Sequence, residues 1–187
     1  MRRIAPLILL LLSSAYAPLQ AQKYFGETGF AEFESRAPAL TFTGVSNNLA
    51  GLIDLQTGMV DFYLDLTTLD TGIALRNRHM RDSYLNTRNF PFAEFTGTFQ
   101  FNEPAVDTLL QPRPVTATGV FTIHGISRDR QVEGTVQFTG DGTGLVLETS
   151  FEVALEDHNI DRPRVVFYEL SDIQRVRIRI EMEQYDE

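Results

Sequence analysis

Arg175-Val176-Arg177-Ile178-Arg179-Ile180-Glu181-Met182-Glu183 alternates charge and hydrocarbon at every step. Successive side chains of an extended chain point to opposite faces. Val176, Ile178, Ile180 and Met182 therefore share one face, and the arginines and glutamates share the other. A helix would need the apolar positions three and four residues apart, so this stretch is a strand with one dry face and one wet face.

The same period recurs along the chain. Over Met59–Leu66, Val60, Phe62, Leu64 and Leu66 oppose Asp61, Tyr63 and Asp65. Over Ala93–Phe101, Phe95, Phe99 and Phe101 oppose Glu94, Thr96, Thr98 and Gln100. Thr116–His124 sets Ala117, Gly119, Phe121 and Ile123 on one face, and Gln131–Thr139 does so with Val132, Gly134, Val136 and Phe138. Leu145–Leu155 adds Leu147, Phe151 and Val153, reached through the glycine-rich turn 140–144 as in a hairpin. Ala31–Arg36, Leu40–Thr43 and Leu49–Leu55 read as further extended pieces, the last turning at Gln56-Thr57-Gly58. The one helical stretch expected is Ala74–Leu85, and Glu156–Leu170 reads as irregular.

About eight strands, nearly all antiparallel, make a sandwich or a closed barrel. A closed barrel can point its apolar face inward, as lipocalins do, or outward, as small outer-membrane barrels do. The membrane arrangement would crowd Arg175, Arg177, Arg179, Asp61 and Asp65 into one narrow lumen. It would also want aromatic girdles at strand ends, whereas Phe62, Phe95 and Phe121 sit mid-strand. The expected fold is therefore all-β: an extended antiparallel lipocalin-like barrel of about eight strands, with a short helical segment near its mouth. An open sandwich is the alternative.

The first residues are read apart from the fold. Arg2 and Arg3 are followed by apolar Ile4–Leu12 and by small residues up to Ala21. This is the pattern of a secretory signal peptide, too short to span a bilayer, which takes about 20 apolar residues. Residues 1–21 are read as the leader and 22–187 as one domain, periplasmic or secreted. Removing Arg2 and Arg3 takes the net charge from −9 to −11, which disfavours nucleic acid as a partner. Without cysteine there is neither a disulfide framework nor a lipid-bearing thiol, and no later segment is apolar enough for a transmembrane helical anchor.

Two motifs carry a resemblance. The first is Leu69-Asp70-Thr71-Gly72, then Arg76-Asn77-Arg78-His79-Met80-Arg81-Asp82-Ser83-Tyr84-Leu85, then Phe90-Pro91-Phe92-Ala93-Glu94-Phe95. The second is Ala117-Thr118-Gly119-Val120-Phe121-Thr122-Ile123-His124-Gly125-Ile126-Ser127-Arg128. In order and spacing the pair resembles the signature of the YceI-like family. The chain departs from it at 35–42, which lacks the His-Ser that many members carry. The resemblance implies a bacterial exported barrel that encloses a polyisoprenoid or quinone-like lipid, or a similar long-chain amphiphile. It implies binding, carriage or storage rather than catalysis, and a homodimer in some members.

The apolar face supplies the expected lumen: Phe62, Leu64, Phe95, Phe99, Phe121, Val136, Phe138, Phe151, Val153, Ile178 and Ile180. Gly97, Ala117, Gly119 and Gly134 fall on the same faces. They either leave room along the axis or let rings pack and strands bend. Arg76, Arg78, His79 and Arg81 form the expected polar rim, holding a ligand oxygen or fastening the helix to strand ends. Asp61 and Asp65 read as solubilising. His124 reads as outward-facing and His158 as a loop residue, and the histidine spacing suits no metal site. Neither Gly125-Ile126-Ser127 nor Gly44-Val45-Ser46 is followed by the glycine of a nucleophile elbow. The expectation is a non-catalytic lipid-binding barrel. Its rivals are a fully packed structural barrel and a small-molecule enzyme using the arginine–histidine rim.

Overall fold

The computed structural model describes residues 23–37, 40–102, 111–140, 143–165 and 168–185. The expected leader, 1–21, and Asp141 and Gly142 of the expected turn lie outside the described residues. Eight long strands close into one barrel: β1 (Lys23–Ala37), β2 (Leu40–Asp54), β3 (Met59–Asp65), β4 (Phe92–Phe101), β5 (Arg113–Ile123), β6 (Ile126–Phe138), β7 (Gly144–Ala154) and β10 (Ile173–Tyr185). Around the barrel the order is β1-β10-β7-β6-β5-β4-β3-β2, every neighbour antiparallel. β8 (Arg164–Val165) and β9 (Tyr168–Glu169) form a separate hairpin in the stretch expected to be irregular.

The alternation of β10 is realised: Gln174, Ile180 and Met182 are buried, while every arginine and glutamate between them is exposed. Outside, Arg177 pairs with Glu32 and Arg179 with Glu148 at 3.1 Å and Glu181 at 2.7 Å. Exposed pairs of this kind contribute at most about 1 kcal/mol each, so burial rather than charge holds the sheet closed.

Several elements run longer than their sequence period shows. β1 starts at Lys23, eight residues before the expected piece, because its register shifts between Phe25 and Phe30 and breaks the alternation. Gly29 sits at this bulge because a Cβ there would lie 2.8 Å from the Cβ of Ile180. β2 is continuous from Leu40 to Asp54, through the polar Ser46-Asn47-Asn48. β5 and β6 meet in a two-residue turn at His124-Gly125, with φ of 54° and 72°, the positive pair that tight hairpins need. His124 tolerates this conformation because Phe90 packs edge-on to its ring at 5.2 Å and its Nδ1 lies 3.2 Å from the carbonyl of His158. It is thus built into the end of the barrel and does not face outward freely.

Gly97 and Gly119 stand directly opposite each other on β4 and β5. A Cβ on either would meet the other's Cα at 2.7 Å. These glycines let two strand backbones approach closely; they do not hollow out the lumen.

The barrel has unlike ends. One, the base, gathers the β2–β3 and β6–β7 turns and is filled by Tyr24, Ile53, Leu145, Ile180 and Met182, none more than 2% exposed. Phe138 completes this plug, edge-on to Tyr24 at 6.0 Å. The other end carries α1 (Ala74–His79), which continues as a π-helical turn over Met80–Tyr84, close to the expected Ala74–Leu85. Leu66, Leu69, Leu85, Leu155 and Ile160 form a second small core beneath these connections.

Candidate functional site

Above the plug the barrel holds a cavity of about 790 Å³. Phe62, Leu64, Phe95, Phe99, Phe121, Val136, Phe151, Val153 and Ile178 line it. Ala117, Val132, Leu147 and Val176 add to the wall. Phe138 and Ile180, expected in the lumen, are instead part of the base plug. The alternation that selected them reports which face a residue occupies, but not its height along the barrel. Ile73 and Leu75 carry the lining out to solvent at 53% and 58% exposure, so the cavity opens beside α1.

Of the expected polar rim, Arg76 and His79 border the cavity. Arg78 and Arg81 do not; they edge a shallow outer dent with Ala74, Asn77 and Asp82. Arg81 turns back to donate from Nη2 to the Leu69 carbonyl at 3.2 Å. Asn77 accepts from the Thr71 amide at 2.8 Å and its hydroxyl at 2.6 Å, and donates to Asp70 Oδ1 at 2.7 Å. The Asn77 bond, then the Gly72 amide and Arg81, hold the Asp70 carboxyl below the usual aspartate range. Asp70 is in turn bridged through its backbone to Val45 of β2. The Arg-Asn-Arg-His-Met-Arg run therefore has two jobs: Asn77 and Arg81 fasten the helix to the barrel, and Arg76 and His79 look into it. Asp65, read as solubilising, also caps the turn after β3 by accepting from the Thr67 amide at 2.8 Å.

The wall has a seam. β6 and β7 pair only from Gly134 opposite Thr149 to Phe138 opposite Leu145, whereas β10 pairs with β7 along the whole of β7. Backbone carbonyls along the seam are taken by side chains instead. Arg130 donates to the Glu152 carbonyl, Thr149 Oγ1 to that of Glu133 at 2.5 Å, and His158 Nδ1 to that of Ile126 at 2.9 Å. The Arg130 guanidinium also lies 5.7 Å from both the Phe121 and Phe151 ring centroids, so the seam is closed over the cavity wall.

His158, read as a loop residue, is fully buried. Its Nδ1 carries the hydrogen, since its partner is a carbonyl, and its ring stands edge-on to Phe121 at 5.4 Å. Burial pushes its pKa below the ordinary imidazole value; the Ile126 bond and Asp157 oppose this, and Arg130 and Arg128 reinforce it. The fold favours the neutral ring, whereas the unfolded chain takes up a proton below about pH 6.5. The stability His158 supplies at neutral pH is therefore lost progressively as the pH falls below that value. The urea midpoint should drop between about pH 7.5 and about pH 5.5, and drop less in His158→Gln. Equal drops in the two proteins would show that His158 is not responsible.

Sequence reasoning passed over Ser35, Gln174 and Arg130, and read His158 only as a loop residue. The first two had a usable signal: Ser35 keeps the parity of Phe33, and Gln174 that of Val176–Met182, so both belong to the inner face. Arg130 and His158 had none, because the break in β6–β7 pairing that they fill is a property of the closed barrel.

The comparisons agree with this architecture. A polyisoprenoid-binding domain from Saccharophagus degradans, implicated in plant cell wall breakdown, superposes with a TM-score of 0.70 at 18% identity, over 89% of this chain and 100% of that one. Burkholderia cenocepacia BcnA gives a TM-score of 0.67 at 14% identity, over 82% and 95%. The Campylobacter jejuni YCEI protein gives 0.53 at 17% identity, over 68% and 73%. No curated protein matches the chain in sequence. Residues 27–183 match the YceI-like domain, from the β1 bulge to the end of the β10 alternation. The chain belongs to the YceI-like family.

Proposed function

We propose that the barrel binds, and carries or stores, a long-chain isoprenoid or similar amphiphile, and that it does so in the periplasm or outside the cell without catalysing a reaction. The observation that carries this reading is the apolar cavity, about 790 Å³, plugged at the base and open beside α1. A packed protein interior leaves few voids larger than a water molecule, so this volume argues against the structural barrel. The binding activity named for the Saccharophagus relative supports the same ligand class.

The dimensions suit a chain. On β5 the lining runs from Val115 to Ile123. That is roughly 27 Å of strand, or roughly 20 Å of depth at a tilt of about 40°. An extended carbon chain advances about 1.25 Å per bond, so roughly 16 carbons fit end to end. At about 0.8 kcal/mol per buried methylene these gross roughly 13 kcal/mol, against association costs of about 4–15 kcal/mol. An exposed ion pair at the rim adds at most about 1 kcal/mol. The tail sets affinity, and polar groups set orientation and selectivity.

Native mass spectrometry of gently purified protein tests the reading. The expected result is an adduct with the mass of a long-chain lipid, released by organic solvent. A clean apoprotein that also takes up no added farnesol would overturn it. Retained turnover of a small molecule that disappears in His79→Ala would favour the enzyme instead.

A further inference from the structure

Four buried side-chain polar atoms lack a hydrogen-bond partner among the described residues: Ser35 Oγ, Arg76 Nε, Arg81 Nε and His158 Nε2. Two of these residues, Ser35 and Arg76, line the cavity. They meet at Phe42. Ser35 on β1 stands opposite Phe42 on β2, and the Arg76 guanidinium lies over the Phe42 ring, 4.2 Å from its centroid. On the other side, β1 pairs with β10 through Glu34 and Arg175. One step further along both strands sets Ser35 beside Gln174, which also borders the cavity.

The three side chains are held in place. Arg76 Nη2 donates to the Thr71 carbonyl at 2.6 Å, and Gln174 Nε2 to that of Ser171 at 2.6 Å. Ser35 is only 2% exposed, so its unused hydroxyl cannot turn to bulk water. No carboxylate pairs with Arg76 among the described residues. A guanidinium and a buried hydroxyl, both short of partners among the described residues, together with an apolar shaft form half of a recognition site. The missing half is an oxygen acceptor, and the unbalanced charge favours one that is negative.

We propose that Ser35 and Arg76, with Gln174 beside them, hold the head group of the ligand and select an anionic oxygen head, a phosphate or carboxylate, over the corresponding neutral alcohol. This rests on the lipid-binding reading above and adds to it the polarity of the ligand and its orientation, with the tail toward the plug and the head beside α1. Arg78, exposed and off the cavity, takes no part.

Calorimetric titration of delipidated protein with farnesyl phosphate, farnesol and inorganic phosphate tests it. Wild type should bind farnesyl phosphate about tenfold or more tighter than farnesol, the worth of one charge-assisted hydrogen bond. Arg76→Gln should bring the two within about threefold by weakening the phosphate alone, and Ser35→Ala should narrow the gap in the same direction. Arg78→Ala should keep the full gap. Equal binding of the two farnesyl compounds by wild type would overturn the head-group site while leaving the lipid carrier intact. Inorganic phosphate binding as tightly as farnesyl phosphate would mark a free-anion site and also overturn it. If neither farnesyl compound binds, the carrier reading itself fails.

Discussion

Ala117→Trp should leave the barrel folded and empty. Ala117 points into the cavity from β5, between Phe99 on β4 and Val132 on β6. An indole there enters open volume, so it escapes most of the roughly 1–3 kcal/mol that overpacking a filled core costs. It blocks the shaft above the plug and displaces the guest's carbons, each worth about 0.8 kcal/mol. Bound lipid per molecule should fall tenfold or more, losing about 1.4 kcal/mol for each factor of ten. The chain has no tryptophan of its own, so the new side chain also reports through its emission whether it sits in a dry site. Arg78→Ala, outside the cavity, should retain wild-type lipid content. Full lipid content in folded Ala117→Trp would place the guest elsewhere. Aspartate at Phe121 is a poorer probe. It would also break the ring contacts to Phe151 at 5.9 Å and His158 at 5.4 Å, so lipid loss could follow from unfolding.

The opposite result is expected at the base. Ile180→Ala should cost about 3–4 kcal/mol of stability and leave lipid content per folded molecule unchanged. Ile180 is completely buried, and its side chain fills the space that the glycines of the β1 bulge leave open. The pocket around it cannot collapse, because Tyr24, Leu145 and Met182 are already packed together in the same cluster. For a domain of this size the loss lowers Tm by roughly 10 °C. Equilibrium urea unfolding alongside lipid extraction would separate the two variants. A cost below about 1 kcal/mol, or a matching fall in lipid content, would mean that plug and cavity are not distinct.

This contrast marks where the periodicity of the sequence stops being informative. Ile178 and Ile180 are two residues apart on one face of β10, and nothing in their pattern separates them. One lines the cavity and the other fills the plug. The same holds for Val136 and Phe138 on β6. Alternation has a period of two and no memory of height, so it assigns faces and leaves depth undetermined. Depth depends on where the opposite wall of the barrel brings its own bulky residues, such as Tyr24 across from Phe138.

The polar groups divided along similar lines. The helix between Leu69 and Phe90 was legible, yet the direction of each side chain around it was not. Arg76 and His79 reach the cavity, and Arg78 and Arg81 do not, because Asn77 and Arg81 are tied to the backbone of 69–71 and so fix the helix's rotation. Ser35 gained its meaning only when β1 closed against both β2 and β10, placing it between Phe42 and Gln174. His158 had no signal at all: a histidine after a strand is buried only because β6 and β7 part company above Gly134.

By itself the sequence determined the strand period, the inward set of phenylalanines and aliphatics, the charged exterior and the membership of the family. These follow from local alternation and motif spacing, which each strand carries alone. Tertiary structure decided which inward residues fill space and which border it, where the barrel opens, and which arginine borders the apolar cavity with no carboxylate partner among the described residues. Those outcomes depend on contacts between strands far apart in the chain, and they exist only once the sheet has closed on itself.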